Sequence, residues 1–528
     1  MAWDEQRARK RIADLGESAP STAIAVKDLA NFLSERRSMR DTAIASGRRF
    51  DEPIFAIGRN AAVVTHGVHI YARLMDHADY LMARDRQTPA SDARAMQFLH
   101  AHYAACDELI AAFGIQRVDF HAGRLHAVVL TPVGDTLEDV RIETATAFAA
   151  AYRDMVRRMA MADPDAPSTR VRIGIDSGPA VAINSGRREE LEPLFIGSPA
   201  NHAAKAAEGD APGVYFGPGI RARRQMAKAL GARGIGFADA LDHLEERAAL
   251  DRTIALDGSD RRASVRLDEA YVAFDKRRAT EAASRHAPAV FHFHHHEPPL
   301  RSIRYADHPP SNAIRMAMAS IFADIAGFTA YVDEAMRMGR VAQAVSNLHI
   351  MRGEMNFVAR DDFGGRKVRY IGDCLQAILA EGDTRNTDER ATVRKAVLAA
   401  TGIYSSFELC RQLLPDADSL GIAIGIELGV TPLARLGLRG EASVRCVSSR
   451  STCLSEEVQG GCAAGEIGIG ADAYAAADVH VKRMFDNPSR KLRRTGHDAA
   501  TALLIGAPAL TGFASPVAAT TSLRAYAP

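Results

Sequence analysis

Three pairs of segments recur in the same order along the chain, and nothing else in it restricts the fold as much. Segments 61–71, 117–130 and 171–181 of the first half answer 320–329, 368–377 and 421–430 of the second. Each is a strand-prone apolar run, and the intervals between them leave room for helices. An ordered repeat of this kind implies two diverged copies of one α+β domain. The expected divisions are a charged helical extension at 1–50, a first copy at 51–219 and an Arg-rich linker at 220–311. A second copy follows at 312–475, then a C-terminal extension at 476–528.

The second copy carries the clearest chemistry. The run 320–329 (SIFADIAGFT) delivers Asp324 at the end of a strand, and Gly327, Phe328 and Thr329 then turn the chain into a helix beginning near Ala330. Asp324 can hold a divalent cation, and backbone N–H groups freed at that turn can cradle phosphate oxygens. The run 368–377 (VRYIGDCLQA) ends its first strand with Asp373 beside Gly372. Two such carboxylates about fifty residues apart can share a pair of hard cations, as two-metal phosphoryl transfer requires.

Together, Asp324-Ile325-x-Gly-Phe-Thr329 and Ile371-Gly-Asp373 resemble the metal half of the class III nucleotidyl cyclases. Members of that family close a nucleoside triphosphate into a 3′,5′-cyclic monophosphate and work only as paired domains. The resemblance implies two class III cyclase-type α/β sandwich domains in tandem, forming an intramolecular pseudo-heterodimer. It implies that Asp324, Ile325 and Asp373 bind two divalent cations, Mn²⁺ or Mg²⁺. Gly327, Phe328 and Thr329 would then contact substrate, and Arg439, in the Leu-Gly-Leu-Arg-Gly stretch, would grip the triphosphate. In the first copy His66 and Arg124 are expected at the metal positions. That copy instead offers Asn201 and Lys205 in 195–205 (FIGSPANHAAK), similar to the family segment that supplies Asn and Arg. At i, i+4 spacing they share a helix face. Asn201 would orient the ribose, and Lys205, in place of the family's Arg, would meet charge on the phosphoryl oxygens. The second copy is expected to have Thr452 and Glu456 there, so the losses are complementary: one working site and one dead one.

The family reads purines at two positions, expected here at Phe120 and Leu194, and neither can hydrogen-bond a base edge. This resembles the bacterial pyrimidine cyclases of anti-phage signalling, whose cyclic product acts on a separate effector, and it favours UTP over CTP. The alternatives are an adenylate cyclase that holds its base through backbone groups, and an inactive nucleotide-binding homologue. A template-directed nucleotidyltransferase finds no support, because no basic and aromatic stripe is present for a template strand.

Composition narrows the class further. With 66 basic and 65 acidic residues there is no global drive towards nucleic acid or membrane. Six cysteines without CxxC spacing read as reduced thiols of a cytoplasmic protein. The expected state is a monomer containing an internal pseudo-dimer. The His-rich tract 292–296 reads as an extended connector, and the basic run 489–494 has no assigned role.

Overall fold

The computed structural model describes residues 3–18, 24–36, 57–58, 61–83, 87–162, 169–184, 192–229, 259–283, 290–437 and 443–505. The first sheet contains β1 (Ala25–Asp28), β2 (Ala61–Leu74), β3 (Gln116–His121), β4 (Arg124–Val129), β5 (Val171–Asn184), β6 (Pro193–Ile196) and β7 (Gly213–Phe216). Its path is β3-β4-β2-β5-β6, with β1 beside β2 and β7 beside β5. The second contains β8 (Phe293–His294), β9 (Ala313–Ala326), β10 (Arg366–Ile371), β11 (Cys374–Leu379), β12 (Gly421–Leu436), β13 (Val444–Val447), β14 (Glu466–Ile469) and β15 (Lys491–Arg493). The path is β10-β11-β9-β12-β14-β15, with β13 beside β12 and β8 beside β9; apart from the added β15 this repeats the first sheet, β13 answering β6 and β14 answering β7.

Strand alternation builds each layer. In β9 the side chains of Ala319, Ile321, Ala323 and Ile325 enter one core cluster, which leaves Asp324 on the other face. The helix Pro89–Phe113 that backs the first sheet starts at Thr88, whose side chain accepts from the Ser91 N–H. It stops at Gly114 in the left-handed region.

The two copies exchange parts of their cores. Val181, Ile183, Leu194 and Ile196 of the first copy belong to the cluster built on Ile321, Ile424 and Phe328 of the second. In return Ala434, Leu436, Val444 and Cys446 belong to the first copy's cluster, with Phe120 and Tyr152. Burial of this kind, roughly 1.5–3 kcal/mol per large apolar side chain, holds the halves together without a second chain.

The N-terminal segment is more than a helical extension. Its helix, Glu5–Ser18, docks on the second copy: Trp3 Nε1 donates to Ser406 Oγ at 2.8 Å, and Arg11 pairs with Glu354 at 2.6 Å and Asp362 at 3.0 Å. A few residues later β1 pairs in parallel with β2 of the first copy, so one arm spans both. Arg11→Met would leave the buried Glu354 carboxylate without its cation, at a cost of roughly 3–5 kcal/mol. The expected result is a thermal midpoint lower by several degrees in calorimetry, and an unchanged midpoint would contradict the role given to this pair.

Part of the expected linker also belongs to the first copy. The helix Ser259–Ala283 places Leu267, Ala270 and Phe274 in that copy's core. At the far end, the basic run 489–494 contains β15, an edge strand on β14, where Lys491 Nζ lies 2.9 Å from Glu466. The His-rich tract is an extended connector containing β8, with His294 stacked on His308.

Candidate active site

Asp324 and Asp373 come together through sheet register. Strand β11 pairs with β9 so that Leu375 faces Ala323, which sets Asp373, in the β10–β11 turn, diagonally beside Asp324. Burial and then the charge of Asp324 push the Asp373 carboxyl well above its ordinary range, and burial raises Asp324 as well. Two half-buried carboxylates that repel each other fit divalent cations, because bound positive charge relieves both penalties. Among the described residues no cluster of three or more His, Cys, Asp or Glu side chains forms a complete metal cage. Any remaining oxygen ligands would then come from backbone and substrate. The Ile325 side chain is buried in the core, so the backbone carbonyl is what it can offer.

The turn that follows is held by the other copy. Gly327 takes φ +85°, the left-handed geometry a glycine tolerates, and opens the helix Phe328–Arg337. Phe328 is core, so only its backbone can face a ligand. Thr329 Oγ1 accepts from Asn201 Nδ2 at 3.0 Å. On the same first-copy helix, Ser198–Ala206, the Ser198 N–H donates to Asp333 at 3.0 Å. Lys205 lies exposed one turn beyond Asn201. The structure thus brings Asn201 to the Gly-Phe-Thr turn of the metal half. Arg439 lies outside the described residues.

Register corrects three expectations about the first copy. β2 pairs with β4 through Arg73 and Arg124, and with β5 through Arg73 and Arg172. Superposing these pairings on those of β9 equates Arg73, and not His66, with Asp324. His66 lies mid-strand, 3.3 Å from Glu138. The turns correspond likewise: Ala122, at φ +47°, matches Gly372, at φ +61°, so Gly123 stands for Asp373 and Arg124 for Cys374. The metal positions are lost all the same, through Arg73 and Gly123.

The base position moves with this turn, from Phe120 to Asp119. A one-residue slip in a strand exchanges its faces. Phe120 is fully buried in the first copy's core, stacked on Tyr103 at 4.4 Å, and offers no face to a base. Asp119 points to the second copy, 3.1 Å from Arg369. Leu194 is 7 % exposed and packs in the second copy's core cluster.

A similar slip affects the second-copy counterparts of Asn201 and Lys205. Gly174 packs against Ala203 and Ala207, and Gly425 against Ser455 and Gln459. Asn201 and Lys205 therefore correspond to Cys453 and Glu457, one residue beyond Thr452 and Glu456. Glu456 instead reaches across to the first copy, 2.5 Å from Arg124 and 3.7 Å from His121. Burial opposes its charge, but Arg124 and His121 hold its carboxyl down to about 2.

Sequence reasoning missed Glu192. Its carboxylate is buried between the copies, 2.9 Å from Lys367 Nζ, and also bonds Arg445. Against the cost of burial, Lys367 and Arg445 lower its carboxyl from 4.5 to about 2. Its stabilising contribution is therefore present above pH about 4.5 and is lost as pH falls through about 2. The only signal was indirect: Lys367 and Arg369 alternate with apolar residues in a strand whose two faces are covered.

No family model matches the chain. Two curated relatives are each named uridylate cyclase. One, from a Rhizobium species, is 42% identical over 495 residues, covering 92% of this chain and 92% of its own. The other, from Pseudomonas aeruginosa, is 33% identical over 507 residues, covering 94% and 89%. A crystal structure described as a class III adenylyl cyclase-like ATP-binding protein from Pseudomonas aeruginosa aligns with TM-score 0.77 and 32% identity. It covers 95% of this chain and 99% of that one. Relatives so similar over so much of the chain settle the affiliation. The chain belongs to the uridylate cyclase family and has the class III cyclase fold.

Proposed function

We propose that this protein converts UTP to 3′,5′-cyclic UMP and pyrophosphate at one site shared by its two copies. The observation that carries this reading is the Asn201–Thr329 bond, which places the first copy's polar helix against the turn that follows Asp324. The uridine base comes from the name both curated relatives bear. In the reaction the ribose 3′-oxygen attacks the α-phosphorus, the bond to the bridging oxygen of the β-phosphate breaks, and the 3′-proton passes to solvent. Asp324, Asp373 and the Ile325 carbonyl would hold two divalent cations, Mn²⁺ or Mg²⁺. When bound, these lower the pKa of the 3′-hydroxyl and neutralise the polyphosphate. Asn201 orients the ribose, Lys205 meets charge on the phosphoryl oxygens, and the first N–H groups of the helix Phe328–Arg337 cradle phosphate.

The site is internal, so the protein acts as a monomer, and Arg439 grips the triphosphate. All six cysteines are free, in keeping with a cytoplasmic location, and no described helix is long and apolar enough to cross a membrane. The cyclic product acts on a separate effector protein in anti-phage defence. The test is product identification after incubation with UTP, CTP, ATP and GTP, alone and in competition. UTP is expected to dominate. An ATP preference of about tenfold, about 1.4 kcal/mol, would favour an adenylate cyclase instead, and no turnover of any of the four would leave a nucleotide-binding homologue.

A further inference from the structure

The residue beneath the β-hairpin differs between the copies, and the difference bears on the base. In the first copy it is Tyr103, whose ring stacks on Phe120 and whose hydroxyl donates to the Ala122 carbonyl at 2.7 Å. Tyr103 also reaches Cys446 of the opposite copy. In the second copy this place belongs to Arg352. Its guanidinium carbon lies 3.7 Å from the ring centroid of Tyr370, the counterpart of Phe120. The Tyr370 hydroxyl donates to the Arg352 carbonyl at 2.6 Å.

Arg352 is 3 % exposed, yet its Nε and Nη1 have no hydrogen-bond partner among the described residues. The carboxylates that act on it are Glu192 and Asp373. Asp373 is at the cation end of the site, and Glu192 leads two residues on to Leu194, the counterpart of Cys446. A planar group that can only donate is thus buried between the metal hairpin and the apolar wall at Leu194. A buried donor left unpaired is costly, and it selects strongly for a ligand that supplies an acceptor.

We propose that Arg352 determines base specificity by donating from Nε and Nη1 to the O4 carbonyl of uracil; this rests on the uridylate cyclase reading above. Cytosine and adenine carry an amino group at the corresponding edge. Guanidinium has no acceptor to meet it, so both donors would stay unpaired. The Tyr370 ring fixes the plane of the fork, which a flexible ammonium would not share.

The experiment measures kcat/KM for UTP and for CTP with the full chain and with Arg352→Gln and Arg352→Lys, each checked by thermal melting. Glutamine can turn its carbonyl towards the cytosine amino group, so the UTP/CTP ratio is expected to fall about 10²-fold, chiefly through UTP. Lysine keeps the charge and loses the fork, and a fall of about tenfold is expected. Equal losses for the two nucleotides, or a ratio within about threefold of the parent in both variants, would overturn the assignment. If Arg352→Gln fails to fold, the ratio in Arg352→Lys decides by the same criterion. Absence of cyclic UMP from the parent protein would overturn the functional reading itself. A productive parent with unchanged ratios in the variants would overturn only the role of Arg352.

Discussion

Replacing Asp324 or Asp373 by alanine is expected to reduce cyclase turnover by about 10³-fold or more, about 4 kcal/mol. Each carboxylate would supply half of the side-chain charge for two cations, and among the described residues no third acidic side chain joins them in a metal-holding group. The loss should persist when metal is raised to millimolar levels, because the missing ligand lowers the charge of the site and not merely its occupancy. The corresponding changes in the dead half provide the contrast. Arg73→Ala and Glu457→Ala stand at the equivalents of Asp324 and Lys205, and each should keep activity within about threefold of the parent. The measurement is initial rate against UTP with Mn²⁺ and with Mg²⁺. Comparable losses in both sets would mean that the two sites are not divided into a working one and a dead one.

Lys205→Met is the second large effect, with a kcat lower by about 10²–10³-fold and a KM for UTP changed far less. The asymmetry follows from where the charge acts. An exposed ammonium one turn beyond Asn201 gains little from the ground-state triphosphate, which water and cations already solvate. It gains most from the extra charge that develops during transfer. Lys205→Arg restores the planar fork and should keep kcat within about tenfold of the parent. If Lys205→Met changed KM alone, the residue would be a binding group and not part of transition-state stabilisation.

The general plan was legible in the sequence because a repeat of three strand-like segments fixes an order, and sheets follow order. The metal pair was legible for a local reason: Asp324 and Asp373 each sit beside a glycine turn, and the spacing of a strand end is short. The first copy was harder to read. Strand β2 runs for fourteen residues, most of them apolar or aromatic and none acidic, so no residue within it announces which one lies opposite the hairpin. Alignment by glycine placed Gly123 against Gly372, whereas the left-handed turn position is filled by Ala122, at about 1 kcal/mol of backbone cost. That single residue carried the base position from Asp119 to Phe120 and so to the wrong face of the sheet. Arg352 was invisible for a different reason. It lies on a helix twenty residues before the hairpin, and only tertiary packing brings its guanidinium beneath Tyr370.

The arm that bridges the copies also sets an order of events during synthesis. Trp3 leaves the ribosome first, but its partner Ser406 follows 403 residues later, on the last long helix of the second copy. At roughly 5–20 residues per second, the arm waits on the order of 20–80 s for the surface it covers. Strand β1 can join β2 early, while Arg11 waits for Glu354 and Asp362 and Trp3 waits for Ser406. A nascent chain that stops short of Asp324 owns the helix of Asn201 and neither of the paired carboxylates. Competence to make a cyclic nucleotide therefore arrives late, and a chain interrupted before Asp324 lacks half of the site.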